Sequence, residues 1–293
     1  MPDDAALGII GGSGLYALDA LARADVIEID TPFGRPSDAP RVGEIAGRRV
    51  VFISRHGRGH RLAPAEVPYA ANVCAMKMLG VQRLVSISAV GSLREEYPPR
   101  SFVLPDQTID RTVGRRRTFF GDGVVAHVSI AHPFCPDLTS VVERAGQAGG
   151  LPVFRGGAYV CIEGPQFSTQ AESTVYRSWG ASVIGMTALP EARLAREAEL
   201  CYACLAMVTD YDVWHEQEGP VSVEGVLANL LAMTDAVQRI VVALASDRDE
   251  TCAAGCRDAL AAAIITDPSA VTAEARQRLA PIAGRYLGDS TGS

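Results

Sequence analysis

The chain is poor in aromatic residues, has no excess of positive charge and contains no uninterrupted apolar run near the ~18 residues a membrane span requires. Lys and Arg number 27 against 34 Asp and Glu, so the formal charge is −7. An acidic surface repels a phosphate backbone, and neither a nucleic-acid nor a membrane partner is expected. The N-terminal MPDDAALGIIGG carries two acids where a signal peptide has a cationic region, which points to a cytoplasmic setting. Cysteine is sparse and odd in number: the seven (Cys74, Cys135, Cys161, Cys201, Cys204, Cys252, Cys256) suit reduced core thiols, not a disulfide framework. Two pairs, Cys201 with Cys204 and Cys252 with Cys256, invite a four-thiolate zinc reading. Residues three apart on a strand face opposite ways, so that pairing is set aside and no metal is expected. A Cys252–Cys256 disulfide would need an oxidising setting.

What is present is an ordinary globular composition, 48% apolar over 293 residues, with helix-like and strand-like segments alternating along the chain. That alternation predicts an α/β fold: one domain over residues 1–293, built on a mainly parallel or mixed twisted sheet flanked by helices. Strands are expected at 7–10, 48–54, 83–88, 158–162, 182–186 and 201–209, and helices at 67–79, 136–147, 222–245 and 250–264. Ser222 caps the long helix, and the tail beyond Gly284 reads as frayed.

Chemistry collects where strands end, the edge at which an α/β sheet binds its ligand. The first strand runs into Gly11-Gly12-Ser13-Gly14, the second into Arg55-His56-Gly57, the third into Ala89-Val90-Gly91 after Ser88, the fifth into Thr187 and the last into Asp210-Tyr211-Asp212. The glycine loop fits G-x-G-x-x-A, but only about ten residues separate it from the strand-like 25–30, which is tight for a crossover helix. A tight turn and an anion-binding nest of backbone amides are the other readings. Arg55 offers a bidentate fork for an oxyanion, with His56 beside it. Asp210 and Asp212, alternate residues of an extended segment, would face one ligand, and a carboxyl at the mouth of an apolar pocket has a raised pKa that suits it to donating a proton. A solvated basic loop and a turn-forming aspartate pair are the plainer alternatives.

In order along residues 7–245, GIIGGSGL (8–15), DTPFGRPSDA (30–39), SRHGRGH (54–60), AVGSLREE (89–96), PFCP (133–136), IEGPQFST (162–169), GMTALPEA (185–192), CYACLAMVTDYDVW (201–214) and SVEGVL (222–227) resemble the methylthioadenosine phosphorylase branch of the trimeric purine nucleoside phosphorylases. The resemblance implies a cytoplasmic homotrimer that needs no cofactor. Its reaction would be phosphorolysis, inorganic phosphate displacing adenine from S-methyl-5'-thioadenosine or a close 5'-substituted adenosine in purine and methionine salvage. Phosphate binding carries over to Ser13, Arg55, His56, Ser88, Ala89 and Thr187, with Ser13 and Ser88 standing where the family often has Thr. Met186 and Phe167 fall where the family holds the nucleoside. Asp210 becomes the acid for purine N7, with Asp212 at the 6-amino group. Ser168, Val226 and His127 become specificity positions, His127 reaching across a subunit interface. The resemblance fades over the helical extension 246–293. The alternatives are a phosphorylase for 5'-deoxy- or 5'-halo-5'-deoxyadenosine, a broader purine nucleoside phosphorylase, a hydrolytic nucleosidase, a dehydrogenase and an adenosine-binding protein without catalysis.

Overall fold

The computed structural model describes residues 6–12, 23–216, 219 and 221–288. Val- and Ile-rich strands, buried on both faces, form its centre. β1 (Ala6–Gly11), β4 (Arg48–Ser54), β5 (Val81–Ser92) and β11 (Cys201–Asp210) lie parallel in the order β4-β1-β5-β11. β2 (Asp25–Val26) and β3 (Arg41–Ile45) extend the β4 side antiparallel. The next described strand after β1 is thus an antiparallel edge strand and not a parallel neighbour of β1, which removes the dinucleotide reading of the glycine loop.

β5 forks. Residues 83–91 pair with β11, while Gly91 and Ser92 pair antiparallel with β10 (Ala181–Gly185). Beyond β10 run β9 (Ala158–Ile162) and β7 (Gln107–Arg111), whereas β6 (Phe102–Leu104) joins β11 to β8 (Val153–Arg155). The fork opens the sheet where the carboxyl ends of β5, β10 and β11 meet, and the ligand cavity occupies that opening. The expected strands recur within a few residues, and β2 falls within the strand-like 25–30; β3, β6, β7 and β8 were not expected, being short or weakly apolar.

Six helices flank the sheet among the described residues: α1 (Tyr69–Met78), α2 (Pro136–Gly146), α3 (Gln170–Ser178), α4 (Ala188–Glu197), α5 (Val223–Ser246) and α6 (Ala273–Leu287). Ser222 caps α5 as expected, its hydroxyl accepting from Gly225 N–H. α5 is long and apolar enough to cross a membrane by length and composition, although polar and charged residues interrupt it throughout. Its C-terminal half buries Val237, Ile240, Val241 and Leu244 in the core, while its N-terminal half stands over the cavity.

The helix expected over 250–264 does not form; turns and one short 3-10 segment, Cys256–Asp258, take its place. Gly255 sits at φ 66°, and the Asp137 carboxylate accepts the N–H groups of Ala253 and Ala254, so tertiary hydrogen bonds override the alanine-rich propensity. α6 runs past Gly284 to Leu287 and packs Leu279, Ile282 and Ala283 into the main core, so the expected fraying does not begin there.

Candidate active site

A cavity of about 510 Å³ lies over the fork of the sheet, a size suited to a small organic molecule. Its lining draws on most of the strand ends singled out above: Arg55, His56, Ser88, Ala89, Met186, Thr187, Asp210 and Asp212, with Phe167, Ser168 and Val226 around them. Ser13 lies outside the described residues, although its neighbour Gly12 lines the cavity. His127 is exposed, on a segment bonded to Ala263, and does not line the cavity of its own chain.

One end is a cluster of hydroxyls and an imidazole. Thr187 stands at the N-cap position of α4 but its side chain makes no capping bond; instead its hydroxyl shares a 2.8 Å hydrogen bond with Ser88, and Tyr159 stands 3.3 Å from the same Ser88 Oγ. Ser88 and Ala89 belong to the body of β5, since that strand continues to Ser92. Ala89 is exposed between buried neighbours because it forms part of the cavity wall. His56 donates from Nδ1 to the Leu62 carbonyl at 2.9 Å, leaving Nε2 as the acceptor of a neutral ring. Burial, reinforced by the Arg55 charge, pushes its pKa down to about 4.

Arg55 differs from expectation. Its fork is taken up by a carboxylate of the protein itself: Nε and Nη2 donate to the two oxygens of Glu191 at 3.0 and 3.1 Å. Nη2 also reaches Ser86 and the Ile10 carbonyl, and Nη1 the Ile87 carbonyl. Burial of the guanidinium opposes its charge, yet Glu191 outweighs burial and raises the pKa. A bidentate grip on an external oxyanion is thus not available in this state; a remaining Nη1–H is what Arg55 has to offer.

The other end holds the carboxylates. Asp210 ends β11, and its two oxygens accept from the Thr209 hydroxyl at 2.7 Å and the Asp212 N–H at 2.8 Å. The alternation argument fails here, because the strand stops at Asp210 and Asp212 sits at φ 53°; the turn, and not strand periodicity, brings both carboxylates to the cavity. Burial raises both pKa values, and for Asp212 the Asp210 charge adds to the shift. Gly91 makes room: a Cβ there would meet Asp210 Oδ1 at 2.7 Å. Asp212 Oδ2 and Ser168 Oγ are buried without a hydrogen-bond partner, and both belong to residues that line the cavity. Buried polar atoms left open in a cavity mark places for a ligand's polar groups.

Between the two ends the walls are apolar. Met186 is held by Arg115, which donates to the carbonyls of Met186, Leu189 and Glu163 and so ties the β9 and β10 exits together. Gly164 sits at φ 66°, where a side chain would be strained, and a Cβ there would also crowd Met186 Sδ. Val223, Val226, Leu227 and Leu230 of α5 form the roof, tethered where Asn229 Nδ2 donates to the Thr209 carbonyl at 2.7 Å. The sequence reading missed Glu191, Ser86, Tyr202 and Arg115. Glu191 lies in GMTALPEA, only four residues after Thr187, but nothing local marks it as the partner of Arg55, 136 residues away.

A sequence profile described as the phosphorylase superfamily matches residues 6–246. S-methyl-5'-thioadenosine phosphorylase of Chloroflexus aurantiacus is 55% identical over 96% of this chain and 98% of its own. The enzyme of the same name from Geobacter sulfurreducens is 52% identical over 96% of this chain and 99% of its own. Among solved structures, a methylthioadenosine phosphorylase from an Antarctic soil metagenomic library superposes with a TM-score of 0.89 at 47% identity, covering 95% of this chain and 99% of that one. Methylthioadenosine phosphorylase from Schistosoma mansoni in complex with adenine gives 0.83 at 34% identity, over 88% of this chain and 97% of its own.

Proposed function

The chain belongs to the phosphorylase superfamily, in its methylthioadenosine phosphorylase branch, and we propose that it cleaves S-methyl-5'-thioadenosine with inorganic phosphate in the cavity over the β5 fork. It is a pentosyltransferase, releasing adenine and leaving the 5-methylthio sugar as its 1-phosphate. The observation that carries the substrate reading is the division of one cavity into a hydroxyl and imidazole end, an apolar middle and a carboxylate end.

Breaking the glycosidic bond passes through an oxocarbenium-like state in which the purine gains negative charge. Asp210, whose raised pKa keeps a proton within reach, supplies it to N7. The open Oδ2 of Asp212 accepts from the 6-amino group. A 6-oxo purine would set acceptor against acceptor there, and a site built around a buried partner rejects the ligand that lacks it. Phosphate sits at the other end on Ser88, Thr187, the Ala89 backbone and the Nη1–H of Arg55, with Ser13 completing the set. Because His56 is neutral there, its Nε2 accepts from a protonated phosphate oxygen. The anion then attacks C1' and offsets the positive charge developing on the sugar.

Met186 and Phe167 bracket the nucleoside, Ser168 offers its open hydroxyl, and Val226 gives the 5' group an apolar wall that cannot pair a hydroxyl. The site is completed in a cytoplasmic homotrimer. Val223, Leu227 and Leu231, at helical spacing along α5, leave an apolar stripe 46–72% exposed beside the cavity, and His127 is free to serve a neighbour's site. Residues 1–293 form one catalytic domain, the 246–293 extension being tied to it through α6. No cofactor enters this scheme.

The test is adenine release from S-methyl-5'-thioadenosine with and without phosphate, beside adenosine, 5'-chloro-5'-deoxyadenosine and methylthioinosine. The expected result is strict phosphate dependence and preference for the 6-amino, apolar-5' substrates. Release without phosphate would replace phosphorolysis with hydrolysis, and equal use of methylthioinosine would remove Asp212 from its role.

A further inference from the structure

Far from the cavity, four cysteines from three parts of the chain converge. Their sulfurs, those of Cys135, Cys201, Cys252 and Cys256, all lie within 4.8 Å of one another. Cys135 precedes α2 as its N-cap, Cys201 opens β11, and Cys252 and Cys256 bracket the loop that follows α5. The pairing weighed from sequence had the wrong member. Cys204 faces the opposite side of β11 and packs in the other core cluster, as the strand argument requires, and Cys135 takes its place.

We propose that these four thiolates bind one structural zinc ion. Zinc holds four thiolates tetrahedrally at about 2.3 Å, which puts the sulfurs roughly 3.8 Å apart, so the cluster needs only a small contraction. Cys252 and Cys256 have the short spacing usual for two ligands carried on one loop.

The surroundings suit anionic sulfur better than four neutral thiols in an apolar core. The buried Arg196 guanidinium donates to Cys256 Sγ at 3.2 Å, and the Leu138 N–H, at the start of α2, donates to Cys135 Sγ at 3.5 Å. Such donors to sulfur are the usual outer partners of zinc thiolates. Arg83, the register partner of Cys201 on β5, shares its face of the sheet; its Nε lies 3.2 Å from Glu250, while its buried Nη1 has no hydrogen-bond partner. The loop is fixed before any ion arrives: Asp137 accepts from Ala253 and Ala254, and Arg83 donates to the Thr251 carbonyl at 2.8 Å. Cys252 alone is half-buried, giving the ion a way in.

With four protein ligands the ion has no open position and so does no chemistry. Cys201 and Asp210 are the first and last residues of β11, about 30 Å apart at the usual rise per residue. The ion would pin the loop after α5 to α2 and β11, at the end of the sheet away from the cavity.

The experiment is to express the full chain in zinc-supplemented medium, purify it under reductant in metal-free buffer and measure its metal content by mass spectrometry. About one zinc per chain is expected for the wild type, and at least a tenfold loss in Cys252→Ser and in Cys256→Ser. Should those variants fail to fold, cobalt(II) exchanged into the wild-type protein gives a second readout: the intense visible bands and thiolate charge-transfer absorption of a tetrahedral sulfur site. Wild-type protein without metal, its four thiols free on denaturation or joined in disulfides, would overturn the proposal. So would zinc retained in full by both serine variants.

Discussion

The two ends of the cavity are built on opposite plans. At the Arg55 end the polar atoms are largely spoken for before any ligand arrives: Glu191 closes the guanidinium fork and also accepts from Tyr202 at 2.9 Å, while Ser88 and Thr187 bind each other. At the Asp210 end, Asp212 Oδ2 and Ser168 Oγ are buried and open. A closed network is rigid and holds a shape, whereas unpartnered polar atoms keep a ligand's place at a standing cost. The first end is thus tuned to present hydroxyls and amides to an anion, and the second to recognise and protonate a base.

Substitution breaks this contrast most sharply at the open end. Asp210→Asn removes the proton donor but keeps the shape: its amide oxygen still accepts from the Asp212 N–H, and its NH2 donates to the Thr209 hydroxyl, which turns its own proton to the Val90 carbonyl, so turnover should fall by about 10²–10⁴-fold with little change in stability. Steady-state adenine release and a thermal melt would check both halves; near-normal turnover would take the acid role from Asp210.

At the closed end the corresponding loss is structural. Glu191→Gln leaves the wholly buried Arg55 charge uncompensated, and breaking one side of such a pair costs about 3–5 kcal/mol. Urea denaturation should show that loss, with a weaker apparent affinity for phosphate in whatever remains folded. A change below about 1 kcal/mol would mean that Ser86 and the backbone carbonyls suffice to hold Arg55.

The comparison is sharpened further by pH. His56 has a folded pKa near 4 against 6.5 for the free side chain, so between those values the unfolded chain binds a proton that the folded chain does not. Stability from this group is complete above pH 6.5 and declines as pH falls, by about 1.4 kcal/mol per unit, levelling near pH 4. His56→Gln should flatten that part of the stability–pH curve. Asp210 and Asp212 act with the opposite sign: their raised folded values make the folded chain the better proton binder just above pH 3.8, so their contribution is lost as pH rises through those values. An unchanged slope in the His56 variant would show that the ring is not held neutral by its burial.

Much of this was legible in the residues because the signals are local. β4 and β9 fall on the expected residues since each is a short apolar run bounded by turn formers, and Ser222 caps α5 as its hydroxyl suggested. The capping box of Thr169 and Glu172 that starts α3 was equally readable and was passed over. The false helix at 250–264 shows the limit, since alanine content cannot anticipate that Asp137, more than a hundred residues earlier, captures the loop.

By itself the sequence determined the strands, the side chains delivered at their ends and, through its ordered motifs, the family, because periodicity and turn chemistry act over a few residues. Only the tertiary structure decided how those side chains are used. Pairing Arg55 with Glu191 and gathering Cys135 with Cys201, Cys252 and Cys256 depend on distances between segments far apart in the chain, and the cavity that the Asp212 turn faces is walled by such segments. Those distances are set by how the sheet forks and packs, which no local pattern encodes.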